Sequence, residues 1–169
     1  MHLGLFYNMC KIIDKIIDKN EICIRCLTYP LFVSNNNNKL KENVFTPPPN
    51  KSDVSTLRLK YTNLKKCKQH ARSLNIFENQ YYGLAALKPI HIEQMNSMNI
   101  GIEASIVYSP IDDNDAYMDT KIDVYTDTPG IPMHADIRYS KEMRKGEVNI
   151  PFRKYAKGLI KLVNFVKDT

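Results

Sequence analysis

The sequence contains no tryptophan, only six glycines, only four cysteines, and no apolar run long enough to span a bilayer. Each shortage excludes something. No phosphate-binding Gly-rich loop, Gly-x-Ser-x-Gly elbow or paired-histidine zinc helix can be read, which disfavours a nucleotide-hydrolysing motor and a dinucleotide-dependent oxidoreductase. The most hydrophobic stretch, 3–17, is broken by Asn8, Lys11, Asp14 and Lys15, so no transmembrane helix is predicted. A basic n-region leading into a clean apolar run is also missing, and the expectation is a cytoplasmic protein. Cys10, Cys23, Cys26 and Cys67 are too few and too unevenly spaced for a secreted disulfide framework, so reduced thiols are expected.

What is present begins with length and charge. The 169 residues suffice for one domain over 1–169 with a real hydrophobic core. The net charge of +6 permits an anionic partner without requiring one. Its distribution says more. From Lys39 to Arg72 nine basic residues face two acids, and from Arg138 to Thr169 nine face three. Between Glu103 and Asp127 the sign reverses, with seven acids against Lys121. Lysine is abundant along with isoleucine and asparagine, so the six arginines carry more information than the lysine total.

Hydrophobic periodicity predicts an amphipathic helix within residues 1–20, carried by Leu5, Phe6, Met9, Ile12, Ile13, Ile16 and Ile17. Glu21 to Leu27 alternates as a first strand. A polar, Pro-rich surface loop over 34–53 follows, its Pro47, Pro48 and Pro49 barred from a helix or a central ladder. Ser55 to Tyr61 reads as a strand with Arg58 and Lys60 facing solvent or a site. A strongly basic helix is predicted over Asn63 to Leu74, with Cys67 and Ala71 inward. Further strands are predicted at Tyr81–Leu87, Ile100–Tyr108 and Lys121–Tyr125, with Gly83 a bulge or close-approach point and a short helix starting at Pro89. Pro151 opens a last helix whose inward stripe runs from Phe152 to Val166. The fold class is therefore α+β: an antiparallel or mixed sheet of about five strands, with N-terminal, central and C-terminal amphipathic helices packed on it.

The most distinctive segment is His134-Ala135-Asp136-Ile137-Arg138-Tyr139. Strict alternation puts His134, Asp136 and Arg138 on one strand face and Ala135, Ile137 and Tyr139 on the other. An imidazole, a carboxylate and a guanidinium in one row can orient one another, bind an anion or move a proton, or simply meet solvent. Two metal patterns are weaker. Cys23, Cys26, Cys67 and His70 offer a Cys3His set for zinc, but positions three apart on a strand point to opposite faces, and no Gly or Pro makes a metal-binding turn. The acidic stretch from Asp112 to Asp119 fails the calcium-loop pattern, with Met118 where Gly is required. No cofactor is expected.

Three readings of function follow. The first is a small, basic, non-enzymatic module for RNA or single-stranded nucleic acid. It would use Arg58, Lys60, Lys65, Lys66, Lys68, Arg72 and Arg138, with Tyr81, Tyr82 and Tyr139 for stacking. The second is a protein-interaction or regulatory subunit of an intracellular assembly, its partner oriented by the acidic centre and basic flanks. The third is an enzyme on a phosphorylated or nucleotide substrate, with His134 as general acid or base, Asp136 orienting it, and Arg138 with Arg58 as anion clamp.

Overall fold

The computed structural model describes residues 10–34, 39–74, 80–146 and 149–168. Within these residues six strands form one sheet: β1 (Cys23–Tyr29), β2 (Lys51–Arg58), β3 (Gln80–Leu87), β4 (Ala104–Tyr108), β5 (His134–Met143) and β6 (Asn164–Lys167). Their order is β4-β5-β2-β1-β3-β6, and every neighbouring pair is antiparallel. Among the described residues three α-helices accompany them: α1 (Leu64–Ser73), α2 (Pro89–Asn96) and α3 (Ile150–Leu162). The architecture is α+β, as the alternation of periods predicts. None of these helices is long and apolar enough to cross a membrane.

Both faces of the sheet are covered. On the first, Cys23, Leu27, Val54 and Ile137 pack against Ile92 and Met95 of α2 and Phe152, Tyr155 and Leu159 of α3. On the second, Ile24, Cys26, Leu57 and Leu84 meet Cys67 and Ala71 of α1, with Ile131 and Met133 from the β4–β5 connection. Asn63 caps α1 by accepting a hydrogen bond from the Lys66 amide at 2.9 Å, which fixes where that basic helix begins. The close approach expected at Gly83 is present: a Cβ there would collide with the Val166 carbonyl of β6, next to a register shift in the β1–β3 ladder.

Four expectations need correction. Residues 10–20 are not helical, while 1–9 lie outside the described residues. Their apolar spacing suits a helix, but their backbone groups are committed elsewhere. The Ile13 amide donates to Val124 O at 2.9 Å, the Asp14 amide to the Tyr61 hydroxyl at 3.0 Å, and the carbonyls of Asp14 and Ile16 accept from Arg58. Second, Lys121–Tyr125 is not a strand; Tyr125 makes a single bridge with Ile12. Third, the last helix stops at Leu162, and the chain reverses into β6, so Val166 is an exposed strand residue rather than part of an inward stripe. Fourth, the segment 34–53 is surface only in part. Val44 and Phe45 are fully buried and Lys51 already belongs to β2, while 35–38 lie outside the described residues. Burying Phe45 contributes about 2–3 kcal/mol that a solvated loop would forgo.

Candidate functional site

The row read from the sequence exists, but it is mostly interior. β5 pairs with β2 so that His134 lies opposite Leu57, Asp136 opposite Ser55 and Arg138 opposite Asp53. His134 is 3% exposed and Asp136 fully buried, whereas Arg138 stands in solvent and holds Asp53 at 3.0 Å. The β4–β5 connection, residues 109–133, supplies the cover. Ser109 accepts at His134 Nδ1 through its carbonyl at 2.7 Å, with its hydroxyl 3.1 Å away, and the Tyr117 hydroxyl donates to Asp136 Oδ2 at 3.0 Å.

The contact with a carbonyl fixes the tautomer, because a carbonyl only accepts: the Nδ1 proton is committed to Ser109. In the neutral ring Nε2 is then a lone pair. It faces Asp136 Oδ1 at 3.8 Å, and among the described residues both atoms are buried without a hydrogen-bond partner. Burial lowers the His134 pKa below the ordinary imidazole value, and the Asp136 charge and the Ser109 bond only partly oppose it. Tyr117 is pushed up to about 12, by burial first and the Asp136 charge second. The pair can hold or exchange a proton. A cavity of about 30 Å³ beside it, lined by Ile24, Cys26, Leu57, His70, Leu74 and His134 among others, has room for water and not for a substrate. The enzyme reading of His134 and Asp136 thus gains an internal proton site but no pocket at it.

Arg58, expected to face solvent or a site, is fully buried. Its Nε and Nη2 donate to the two carboxylate oxygens of Glu21 at 2.6 and 2.9 Å, and Nη1 and Nη2 also donate to the Asp14 and Ile16 carbonyls. Burial works against this charge and the Glu21 hydrogen bonds and charge outweigh it, leaving the Arg58 pKa above its ordinary value. It cannot clamp an external anion. Alternation was right about its face and silent about Glu21, which folds over that face from the segment preceding β1.

The other basic candidates divide. Lys60 pairs with Asp14 at 2.6 Å, and Lys68 and Arg72 share Asp168 at 2.6 and 3.2 Å. Lys65 and Lys66 are exposed on the outer side of α1. The cysteine set is not assembled: Cys23 lies in the core under α2 and α3, while Cys26 and Cys67 lie in the core under α1. Burial also pushes the Cys23 and Cys26 thiols up to about 12 and Cys67 to about 11. No group of three or more potential metal ligands occurs among the described residues.

One arrangement was not foreseen. Of the three tyrosines expected to stack, Tyr139 is buried, its ring packed edge-on to Tyr155, and Tyr81 lies under the Arg72 guanidinium. Tyr82 instead stands in a row with Tyr29 and Phe165, on β3, β1 and β6. The ring centroids are 6.0 Å apart in both pairs, with interplanar angles of 22° and 15°. All three rings are partly exposed, the Lys167 ammonium sits 5.1 Å from the Tyr82 centroid, and Lys41 reaches Pro30 O beside Tyr29. Tyr29 and Phe165 could not be paired with Tyr82 from the sequence, because the row exists only once β1, β3 and the unpredicted β6 are neighbours. No protein-family model, curated protein or solved structure matches this chain.

Proposed function

We propose that the protein is a non-enzymatic module that binds single-stranded nucleic acid on the Tyr29–Tyr82–Phe165 row. The row itself carries the reading: three near-parallel, partly exposed rings spaced 6.0 Å apart at the β1–β3–β6 end of the sheet, with cations at its border. Extended single strands present bases one by one at comparable spacing, and every base offers a π-face, so such a platform favours unpaired strands without reading sequence. Lys167 and Lys41 are placed for phosphates, and Lys65 and Lys66 add to the positive field that steers a polyanion. The reading includes a cytoplasmic setting, where unbridged thiols would stay reduced.

The test is fluorescence anisotropy with labelled single-stranded and duplex RNA and DNA at low and physiological salt. The expected result is preference for single strands that persists at physiological salt. Replacing Tyr29 and Tyr82 together by Ala should weaken binding by about 10-fold or more, since each base–aromatic stack contributes about 1–3 kcal/mol. Equal affinity for all four ligands, lost with salt and unchanged in the double variant, would reduce the interaction to lysine electrostatics and overturn the proposal.

A further inference from the structure

We propose that the His134–Asp136 pair is a proton-operated catch, which holds the β4–β5 connection on the sheet at neutral pH and releases it on acidification. The geometry has three parts. Both grips on the pair come from the connection: Ser109 holds His134 at Nδ1, and Tyr117 holds Asp136 at Oδ2. The two remaining atoms, Nε2 and Oδ1, face each other at 3.8 Å, too far for a hydrogen bond, and neither has another partner among the described residues. Both side chains are sealed from solvent, His134 at 3% and Asp136 at 0% exposure.

A second proton on the imidazole must go to Nε2, because Nδ1 is already protonated toward Ser109. The resulting cation lacks water, and its nearest acceptor is beyond hydrogen-bond reach. Drawing Nε2 and Oδ1 together requires His134 to slide off Ser109 or Asp136 off Tyr117, so either route loosens the connection. The alternative is for the connection to lift and let the imidazolium meet solvent. Charged and titratable groups around the ring come from every neighbouring element: Asp136 and Arg138 on β5, Asp53 on β2, Arg25 on β1, His70 on α1 with Asp115 of the connection acting on it, and Tyr117 on the connection. Arg25 adds positive charge against a cationic His134, as would His70 once protonated, while Asp53 is already engaged by Arg138. The connection is suited to opening. Beyond its contacts with residues 10–13, its backbone ties are mostly to itself, such as Ile111 with Ile131 in both directions and Met118 N with Pro110 O, rather than a ladder in the sheet.

Hydrogen exchange resolved by segment, at about pH 7.5 and about pH 5 and corrected for intrinsic rates, reads the catch directly. Protection in 109–133 should fall by about tenfold or more at the lower pH while β1, β2 and β3 keep theirs. A ring titration of His134 by NMR should show its midpoint coinciding with that loss. His134→Gln should abolish the differential and His70→Gln should retain it. Should His134→Gln fail to fold, Tyr117→Phe, a change at an exposed ring, should already lower protection of the connection at neutral pH. Unchanged relative protection in the wild type, a His134 titration uncoupled from opening, or loss of the differential in His70→Gln would each overturn the proposal.

Discussion

Two ionisable pairs are buried among the described residues, and they are built in opposite ways. Arg58–Glu21 is closed: two hydrogen bonds join the guanidinium to the carboxylate, and Nη1 and Nη2 also donate to the Asp14 and Ile16 carbonyls. His134–Asp136 is open: each partner is gripped from outside the pair, and the atoms facing each other stay 3.8 Å apart. The first pair spends its charge on structure, since it organises the backbone of residues 14–16 and denies it a helical ladder. The second leaves its last proton position undecided. A buried pair with every lone pair answered is insensitive to modest pH change, whereas one with two unanswered atoms is where pH acts first.

The largest effect should come from breaking the closed pair. Arg58→Met leaves the Glu21 carboxylate buried without a counter-charge and two carbonyls without donors, and should cost about 3–5 kcal/mol, read as a fall in the urea midpoint. It should also loosen residues 10–20, seen as faster amide exchange there. A loss below about 1 kcal/mol would mean that the pair is not closed in solution and that the contrast with His134–Asp136 does not hold.

The open pair should show itself in pH dependence. The folded-state pKa of His134 is lowered by burial from the ordinary 6.5, so the folded protein binds fewer protons here than the unfolded chain. The sign follows: the contribution is fully present above about pH 6.5 and is lost as pH falls through the folded value. Urea midpoints should therefore decline on acidification through this window, and His134→Gln should flatten that part of the profile. An Arg58 variant, by contrast, should lower the curve at neutral pH and still retain the His134-dependent decline.

How much of this contrast was legible beforehand follows from the range of each signal. Alternation placed His134, Asp136 and Arg138 on one face, and the β2–β5 register bears that out. Most strands, α1 and the Gly83 approach were equally local and equally readable. Burial of the row was not, because the cover comes from Ser109 and Tyr117 in a connection whose acidic composition reads as solvated. Arg58 failed for the same reason: a period of two reports a face, not what lies on it, and Glu21 arrives from elsewhere in the chain. The segment 10–20 shows periodicity overruled by tertiary hydrogen bonding. β6 was hidden because Val163 and Val166 continue the spacing of α3, and with it the aromatic row went unseen.

Tyr117→Phe separates the two halves of the open pair. It removes the hydroxyl that donates to Asp136 Oδ2 while keeping the ring, and should cost about 1–2 kcal/mol at neutral pH, the usual scale for a hydrogen bond to a charged group. With that oxygen freed, the carboxylate can turn toward Nε2 and favour the imidazolium, which brings the folded-state pKa of His134 back toward its ordinary value, so the acid-side decline should be shallower than in the wild type. A variant that loses stability while keeping the wild-type acid profile would show that Tyr117 is only a surface contact.

The smallest effect belongs to the third member of the row. Arg138 is on the same strand face as His134 and Asp136, yet its side chain is 49% exposed and its partner Asp53 is itself partly solvated. Water screens both charges and the long side chain loses rotamer freedom in pairing, so Arg138→Ala should cost between about 0 and 1 kcal/mol. Its effect on the pH profile should also be slight, because Asp53, once released, acts on His134 only as one weaker charge among several. Residues two positions apart on one strand would then differ in energetic weight by the full range between a sealed and a solvated ion pair. The determinant is not the row but where the β4–β5 connection stops covering it.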